Sequence, residues 1–147
     1  MTIPIIYFAH PVGAPTLEGV AANLASARRW LALLLEVWTD VALCAPWLPY
    51  LDVLEDSGAN RARGLRDDLA IARRCDGIVM CGPALSHGMS LELDAVRERR
   101  GMVLDLVGVD LDDHAAIVDR VQRATAAALE QLEELRRACV QRPAGGH

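Results

Sequence analysis

No lysine occurs in this chain: all 15 basic residues are arginine, set against 20 acidic ones for a net charge of −5. That balance excludes a basic field running over the whole protein, so a long nucleic acid is not an expected partner. It also excludes a Walker phosphate loop, which needs a lysine, and no GxGxxG or G-x-S-x-G segment occurs either. No uncharged apolar run approaches the roughly 20 residues that cross a bilayer, so no membrane segment is expected. The four cysteines, Cys44, Cys75, Cys81 and Cys139, contain no C-x-x-C pair. They read as reduced thiols, not as a disulfide framework or a zinc site. The N-terminal residues Met1 to Tyr7 carry no basic stretch and no small-residue cleavage site. They read as a first strand, and a cytoplasmic location is the expectation.

What is present is apolar: 52% of the 147 residues are hydrophobic, enough for one domain to bury a core without disulfides or metal. No repeat or linker divides the chain. The reading is one domain over residues 1–142, with 143–147 as a flexible tail.

Strand and helix signals alternate. Ile3 to Ala9 is a β-branched and aromatic run that stops at the turn-rich His10-Pro11-Val12-Gly13-Ala14-Pro15. From Leu17 to about Trp38, the residues Val20, Leu24, Ala27, Leu31, Leu34 and Trp38 recur at helical spacing. Val41 to Cys44 is a second strand, broken by Pro46. The stretch from Pro46 to Asn60 combines two prolines with Trp47 and Tyr50, which suits either a flap beside a pocket or a loop whose aromatics plug the core. Arg61 to Arg74 is a helix with Leu65, Leu69 and Ala72 inward. Its arginines Arg61, Arg63, Arg66, Arg73 and Arg74 form either a solvated face or an aid to holding a small anion. Gly77 to Cys81 and Met102 to Val109 supply two more strands. Asp112 or Asp113 caps a last helix reaching to about Arg142, with Ile117, Val121, Ala124, Ala128, Leu135 and Cys139 on one stripe. That stripe suits packing on the sheet or a contact in a homo-oligomer. The alternation predicts an α/β fold: a flavodoxin-like parallel sheet of four to five strands, helices on both faces and a long C-terminal helix.

In such sheets, ligands bind at the carboxyl ends of the strands. The run Cys75-Asp76-Gly77-Ile78-Val79-Met80-Cys81-Gly82-Pro83 is a buried strand ending in a turn. Ser86-His87-Gly88-Met89-Ser90-Leu91-Glu92 then opens a helix, which brings Glu92 to that edge. Taken alone, a glutamate in the first turns of a helix is a surface carboxylate favoured by the macrodipole. Tyr7 alone caps a core, and Asp68 alone faces solvent.

Taken together and in order, Ile6-Tyr7-Phe8-Ala9-His10-Pro11, then Asp68-Leu69 ahead of Cys75-Asp76-Gly77-Ile78-Val79, then Ser86-x-Gly88-x-x-x-Glu92-Leu93 resemble the nucleoside 2-deoxyribosyltransferase superfamily over roughly residues 3 to 107. The resemblance implies that Glu92 attacks the anomeric carbon, that Asp68 handles a proton at the base, with Asp67 as the fallback, and that Tyr7 orients Glu92. These are the candidate catalytic residues. A 2-deoxy sugar reaches an oxocarbenium-like state easily, and a carboxylate can capture it as a glycosyl ester. The role requires an ionised Glu92, which the helix start favours, and a protonated Asp68. His10 and Pro11 after the first strand, Ser86, His87, Gly88 and Met89 at the helix start, and Trp47 in the flap are the expected substrate-binding residues. No metal or cofactor is implied.

Ser86 stands where the base-exchanging transferases carry an aspartate, and Asp94 where they carry a glycine. A serine there is similar to the 2′-deoxynucleoside 5′-monophosphate N-glycosidase branch, whose serine helps bind phosphate. The arginine of that branch's first loop is missing from His10 to Ala14. The resulting expectation is an N-glycosidase or deoxyribosyltransferase acting on a nucleoside or its monophosphate, hydrolysis favoured over exchange, working as a homo-oligomer. Two alternatives stand beside it: a non-catalytic nucleotide-binding sensor using the same cleft, and a structural oligomer built on the last helix.

Overall fold

The computed structural model describes residues 3–140. The expected tail over 143–147 and the last two residues expected of the final helix lie outside the described residues. Along the chain run β1 (Ile5–Ala9), α1 (Leu17–Val37), β2 (Ala42–Cys44), α2 (Trp47–Val53), α3 (Gly58–Ala72), β3 (Gly77–Met80), α4 (His87–Arg97), β4 (Met102–Asp105) and α5 (His114–Val140). The four strands form one parallel sheet in the order β2-β1-β3-β4, the flavodoxin-like α/β arrangement.

Local chemistry sets the helix starts. Thr16, Ser57 and Ser86 each accept, through the side-chain oxygen, a backbone N–H three residues on, those of Gly19, Asn60 and Met89. Asp113 does the same for Ala116 at the start of α5. Asp112, the other expected cap, instead pairs with Arg29 at 3.2 Å.

The strand order then places the layers. The step from β1 to β2 moves one way along the sheet, and the steps to β3 and β4 move the other. Right-handed crossovers therefore put α1 on one face and α3 and α4 on the opposite one. α5 returns to the α1 side, where the Trp38 indole N–H donates to Thr125 Oγ1 at 3.0 Å. β1 and β3 are central and apolar, and Ile6 to Ala9 and Ile78 to Cys81 are all within 3% of full burial.

The stretch expected as a flap or loop contains the short helix α2, α3 starts at Gly58 ahead of the expected Arg61, and β4 stops at Asp105 short of the expected Val109; the helix stripes also depart from the expected pattern. On α1 the buried residues are Ala27, Trp30 and Leu34, while Val20, Leu24 and Leu31 are only half-buried. The wide indole of Trp30 takes the central place on that face. On α5 only Ile117 and Val121 are buried, whereas Leu135 and Cys139 are exposed, because the helix outruns the sheet beneath it. No helix among the described residues is long and apolar enough to cross a membrane.

Candidate active site

Past the formal strand ends the chain keeps bonding. Cys81 N–H donates to the Ala9 carbonyl at 3.0 Å, Leu106 N–H to Met80 at 2.8 Å and Gly108 N–H to Gly82 at 2.9 Å. These bonds gather the loops after β1, β3 and β4 at the carboxyl edge. Gly82 permits the closest approach: its φ is +105°, and a Cβ there would lie 2.7 Å from Pro11 Cδ. Only glycine combines that dihedral with that contact.

Beneath this edge lies the centre of the site. Tyr7 on β1 points toward the α3 and α4 face, where its hydroxyl donates to Glu92 Oε1 at 2.7 Å, and both residues are buried. Asp68, from α3, is the third buried polar group here, 8% exposed, and its Oδ1 has no hydrogen-bond partner. Its charge acts on both Tyr7 and Glu92. The structure thus brings together Tyr7, Asp68 and Glu92 from three separate stretches of chain.

Burial dominates the protonation of this trio. It pushes the Glu92 carboxyl up to about 7, opposed by the Tyr7 hydrogen bond and reinforced by Asp68. It also pushes Asp68 up to about 7, with the neighbouring Asp67 charge adding to the rise. The Tyr7 phenol is driven far above its ordinary range, by burial first and by Glu92 second, so its hydroxyl remains a donor. The sequence suggested that the helix start holds Glu92 ionised. The carboxylate lies beyond the first turn of α4, which contains no acidic residue, and there the macrodipole is spent. Tyr7 is the group that favours the Glu92 anion.

Of the two adjacent aspartates on α3, Asp68 is the buried one. Asp67, one residue and about 100° earlier on the helix, has a side chain 21% exposed and paired with Arg66 at 2.7 Å. It also accepts the Tyr50 hydroxyl at 3.0 Å. Arg66, then Tyr50, hold its carboxyl below the usual range. Tyr50, named with Trp47 in the expected flap or plug, is by this bond tied to α3. Its signal was the three-residue spacing from Trp47, which puts both rings on the inner side of the short α2.

Of the expected substrate-binding residues, His10, Trp47 and Ser86 make hydrogen bonds within the fold. His10 is buried on the α1 side of the sheet, its Nδ1 2.7 Å from the Pro11 carbonyl and its Nε2 3.0 Å from Ser26 Oγ. A carbonyl only accepts, so Nδ1 carries the proton and Nε2 takes the serine hydroxyl's. Burial lowers the His10 pKa, and the ring is neutral. Ser26 was unmarked in the sequence, since a serine within an amphipathic helix carries no signal of its own. Trp47 is buried, stacked on Phe8 at 6.0 Å, and donates its indole N–H to the Phe8 carbonyl at 2.8 Å. Of the two readings of that segment, its tryptophan follows the plug. Ser86 caps α4, Met89 is buried beneath the helix start, His87 is exposed, and Pro11 and Gly88 are half-buried at the same edge.

The arginines on α3 and just past its end are exposed and engaged within the chain: Arg61 with Asp56, Arg63 and Arg66 with Asp67, Arg73 with Glu98, and Arg74 with the Ala70 carbonyl. They behave as a solvated face. Two open concavities, of about 440 and 300 Å³, flank β4 and α5, and neither is lined by Tyr7, Asp68 or Glu92.

The sequence pattern of one family matches residues 4–105, a span that holds every candidate site residue and stops with β4. No curated protein matches the chain. Since the match covers more than two thirds of its length, the chain belongs to the family described as Domain of unknown function (DUF7768).

Proposed function

We propose that this protein cleaves the N-glycosidic bond of a nucleoside or nucleoside monophosphate, with Glu92 as nucleophile and hydrolysis favoured over transfer to a second base. The observation that carries the reading is the buried Tyr7–Glu92 hydrogen bond beside Asp68, whose Oδ1 is buried without a hydrogen-bond partner. Structural carboxylates are seldom buried without a full set of partners. Two carboxyls buried within reach of each other's charge are the arrangement that separates an acid from a base.

Near neutral pH the two carboxyls hold about one proton between them, because burial pushes both to about 7 and the Asp68 charge opposes ionisation of Glu92. Tyr7 donates only to Glu92, so the charge settles there and the proton on Asp68. In the first step a Glu92 oxygen bonds to the anomeric carbon while the bond to the base nitrogen breaks. The electron pair leaves with the base, and Asp68 supplies the proton that neutralises it. In the second step water attacks the same carbon, Asp68 takes its proton, and the Glu92 carboxylate is released with net retention.

A panel of deoxynucleosides and their 5′-monophosphates, assayed chromatographically for free base, tests this directly. Release that disappears in Glu92→Ala supports it, as does an acid-quenched adduct of one deoxyribosyl group on the Glu92 peptide. Release undiminished in Glu92→Ala overturns it. Nucleotides that raise the melting temperature of the wild type and come back intact would make the same cleft a sensor.

A further inference from the structure

The two adjacent aspartates of α3 meet opposite surroundings. Donors gather on Asp67: Arg66 brings Nε and Nη2 to its Oδ1 at 2.9 and 2.7 Å, and Arg63 Nε lies 3.8 Å from its Oδ2. The Tyr50 hydroxyl, from α2, donates to the same Oδ2 at 3.0 Å. Arg66 and then Tyr50 hold this carboxyl ionised. Stability alone does not account for the cluster. Both guanidiniums are largely exposed, and pairs of that kind contribute little.

Asp68 turns inward, away from those arginines. Its charge reaches Tyr7 on β1, Cys44 on β2, Tyr50 on α2 and Glu92 on α4, and opposes ionisation of each. Burial keeps Tyr7 and Cys44 neutral, and the bond to Asp67 does so for Tyr50. Among the described residues Asp68 has no ion pair, and its Oδ1 is buried without a partner. The nearest fixed charge is therefore the carboxylate of Asp67, whose Cα is about 3.8 Å away along the chain. Like charges that close disfavour a second ionisation.

We infer that Asp67 is a positioning residue: its negative charge, clamped by Arg66 and Tyr50, keeps the proton on Asp68. The neighbouring carboxyls are thereby divided into a fixed anion on the outer side of α3 and a proton donor on the inner side. Asp67 acts through Asp68 and not on the substrate. The catalytic use of that proton rests on the glycosidase reading, whereas the effect of the charge is measurable without turnover.

Carboxyl ¹³C titration of the full chain tests it. In Asp67→Asn an oxygen remains for Arg66 or Tyr50, the negative charge is gone, and both arginines stay. Asp68 should then lose its proton at a pH lower by about 0.5 or more. Tyr50→Phe breaks the tie between α2 and α3 but leaves Asp67 ionised by Arg66, so Asp68 should titrate as in the wild type. Base release, measured at pH 8 relative to pH 6, should fall about two- to threefold in Asp67→Asn and hold in Tyr50→Phe. If Asp67→Asn misfolds, Asp67→Ser makes the same measurement. An Asp68 titration that stays put when the Asp67 charge is removed, or that Tyr50→Phe moves equally, overturns the inference. Titrations that move as expected in a protein releasing no base uphold it and count against the glycosidase reading alone.

Discussion

The hydroxyl of Tyr7 donates to Glu92 Oε1 at 2.7 Å, joining residues 85 positions apart inside the protein. It opposes the burial that drives Glu92 up to about 7. In Tyr7→Phe the carboxylate keeps its apolar surroundings and the charge of Asp68 but loses its donor. The Glu92 pKa should rise by about one unit or more, since hydrogen bonds to charged groups contribute about 1.5–3 kcal/mol. Carboxyl ¹³C titration reads this without reference to turnover, and an unmoved Glu92 titration would contradict it.

The same burial predicts how stability varies with pH. Glu92 titrates at about 7 against an ordinary 4.5, and Asp68 at about 7 against 3.8. Between about pH 4 and pH 7 the folded chain retains protons that the unfolded chain has already released. Stability is therefore greatest below that window and falls as pH rises through it. Glu92→Gln removes one of the two contributions, so its melting temperature should fall less than the wild type's between pH 5 and pH 8. The difference should be on the order of 2 kcal/mol, read by denaturant titration at the two pH values.

Trp47 completes a ladder that proline interrupts. The Ala42 N–H donates to the Pro4 carbonyl, and alternation along β1 aims the Phe8 carbonyl at residue 46, which is Pro46 and has no N–H. The Trp47 indole N–H takes that place at 2.8 Å. Trp47→Phe keeps the ring stacked on Phe8 and leaves a buried carbonyl unsatisfied. It should cost about 1–3 kcal/mol of unfolding free energy, measured by urea titration.

Gly82→Ala forces a Cβ to 2.7 Å from Pro11 Cδ at a φ of +105°. Backbone strain alone should cost about 1–3 kcal/mol, and relief of the contact must move the β1 loop away from the β3 loop. Both a lower melting temperature and faster amide exchange at Cys81, whose N–H bonds to Ala9, are expected.

Ser86 separates capping from phosphate binding. Its hydroxyl oxygen accepts the Met89 N–H at 3.2 Å, so Ser86→Ala should lose about 1 kcal/mol as any N-cap does. If that is its whole role, KM for a nucleoside and for its monophosphate change by the same factor. A selective rise for the monophosphate would show that the hydroxyl also holds the phosphate.

Much of the fold was legible because it rests on local rules. The alternation of apolar strands with helical stripes announced a parallel α/β sheet, and Ser86 announced the start of α4. The apolar run from Gly77 to Met80 could only be a strand buried on both faces. Harder to read were the places where two local signals were equally satisfied. Trp47 and Tyr50 suited a flap as well as a plug, and nothing nearby shows that Pro46 leaves the Phe8 carbonyl in need of a donor. The stripe on α5 reads the same over Ile117 and over Leu135, although only the former has a sheet beneath it.

By itself the sequence determined which residues could form strands, which helices had an apolar face, and that the chain has an uninterrupted core, since these follow from periodicity and hydrophobicity over a few turns. It also placed a tyrosine, an aspartate and a glutamate in a suggestive order. Tertiary structure alone decided that Tyr7 meets Glu92, that Asp68 and not Asp67 turns inward, and that His10 turns away toward Ser26. Those outcomes depend on strand order and helix rotation, and on the loss of water around each carboxyl, which only contacts distant in sequence can bring about.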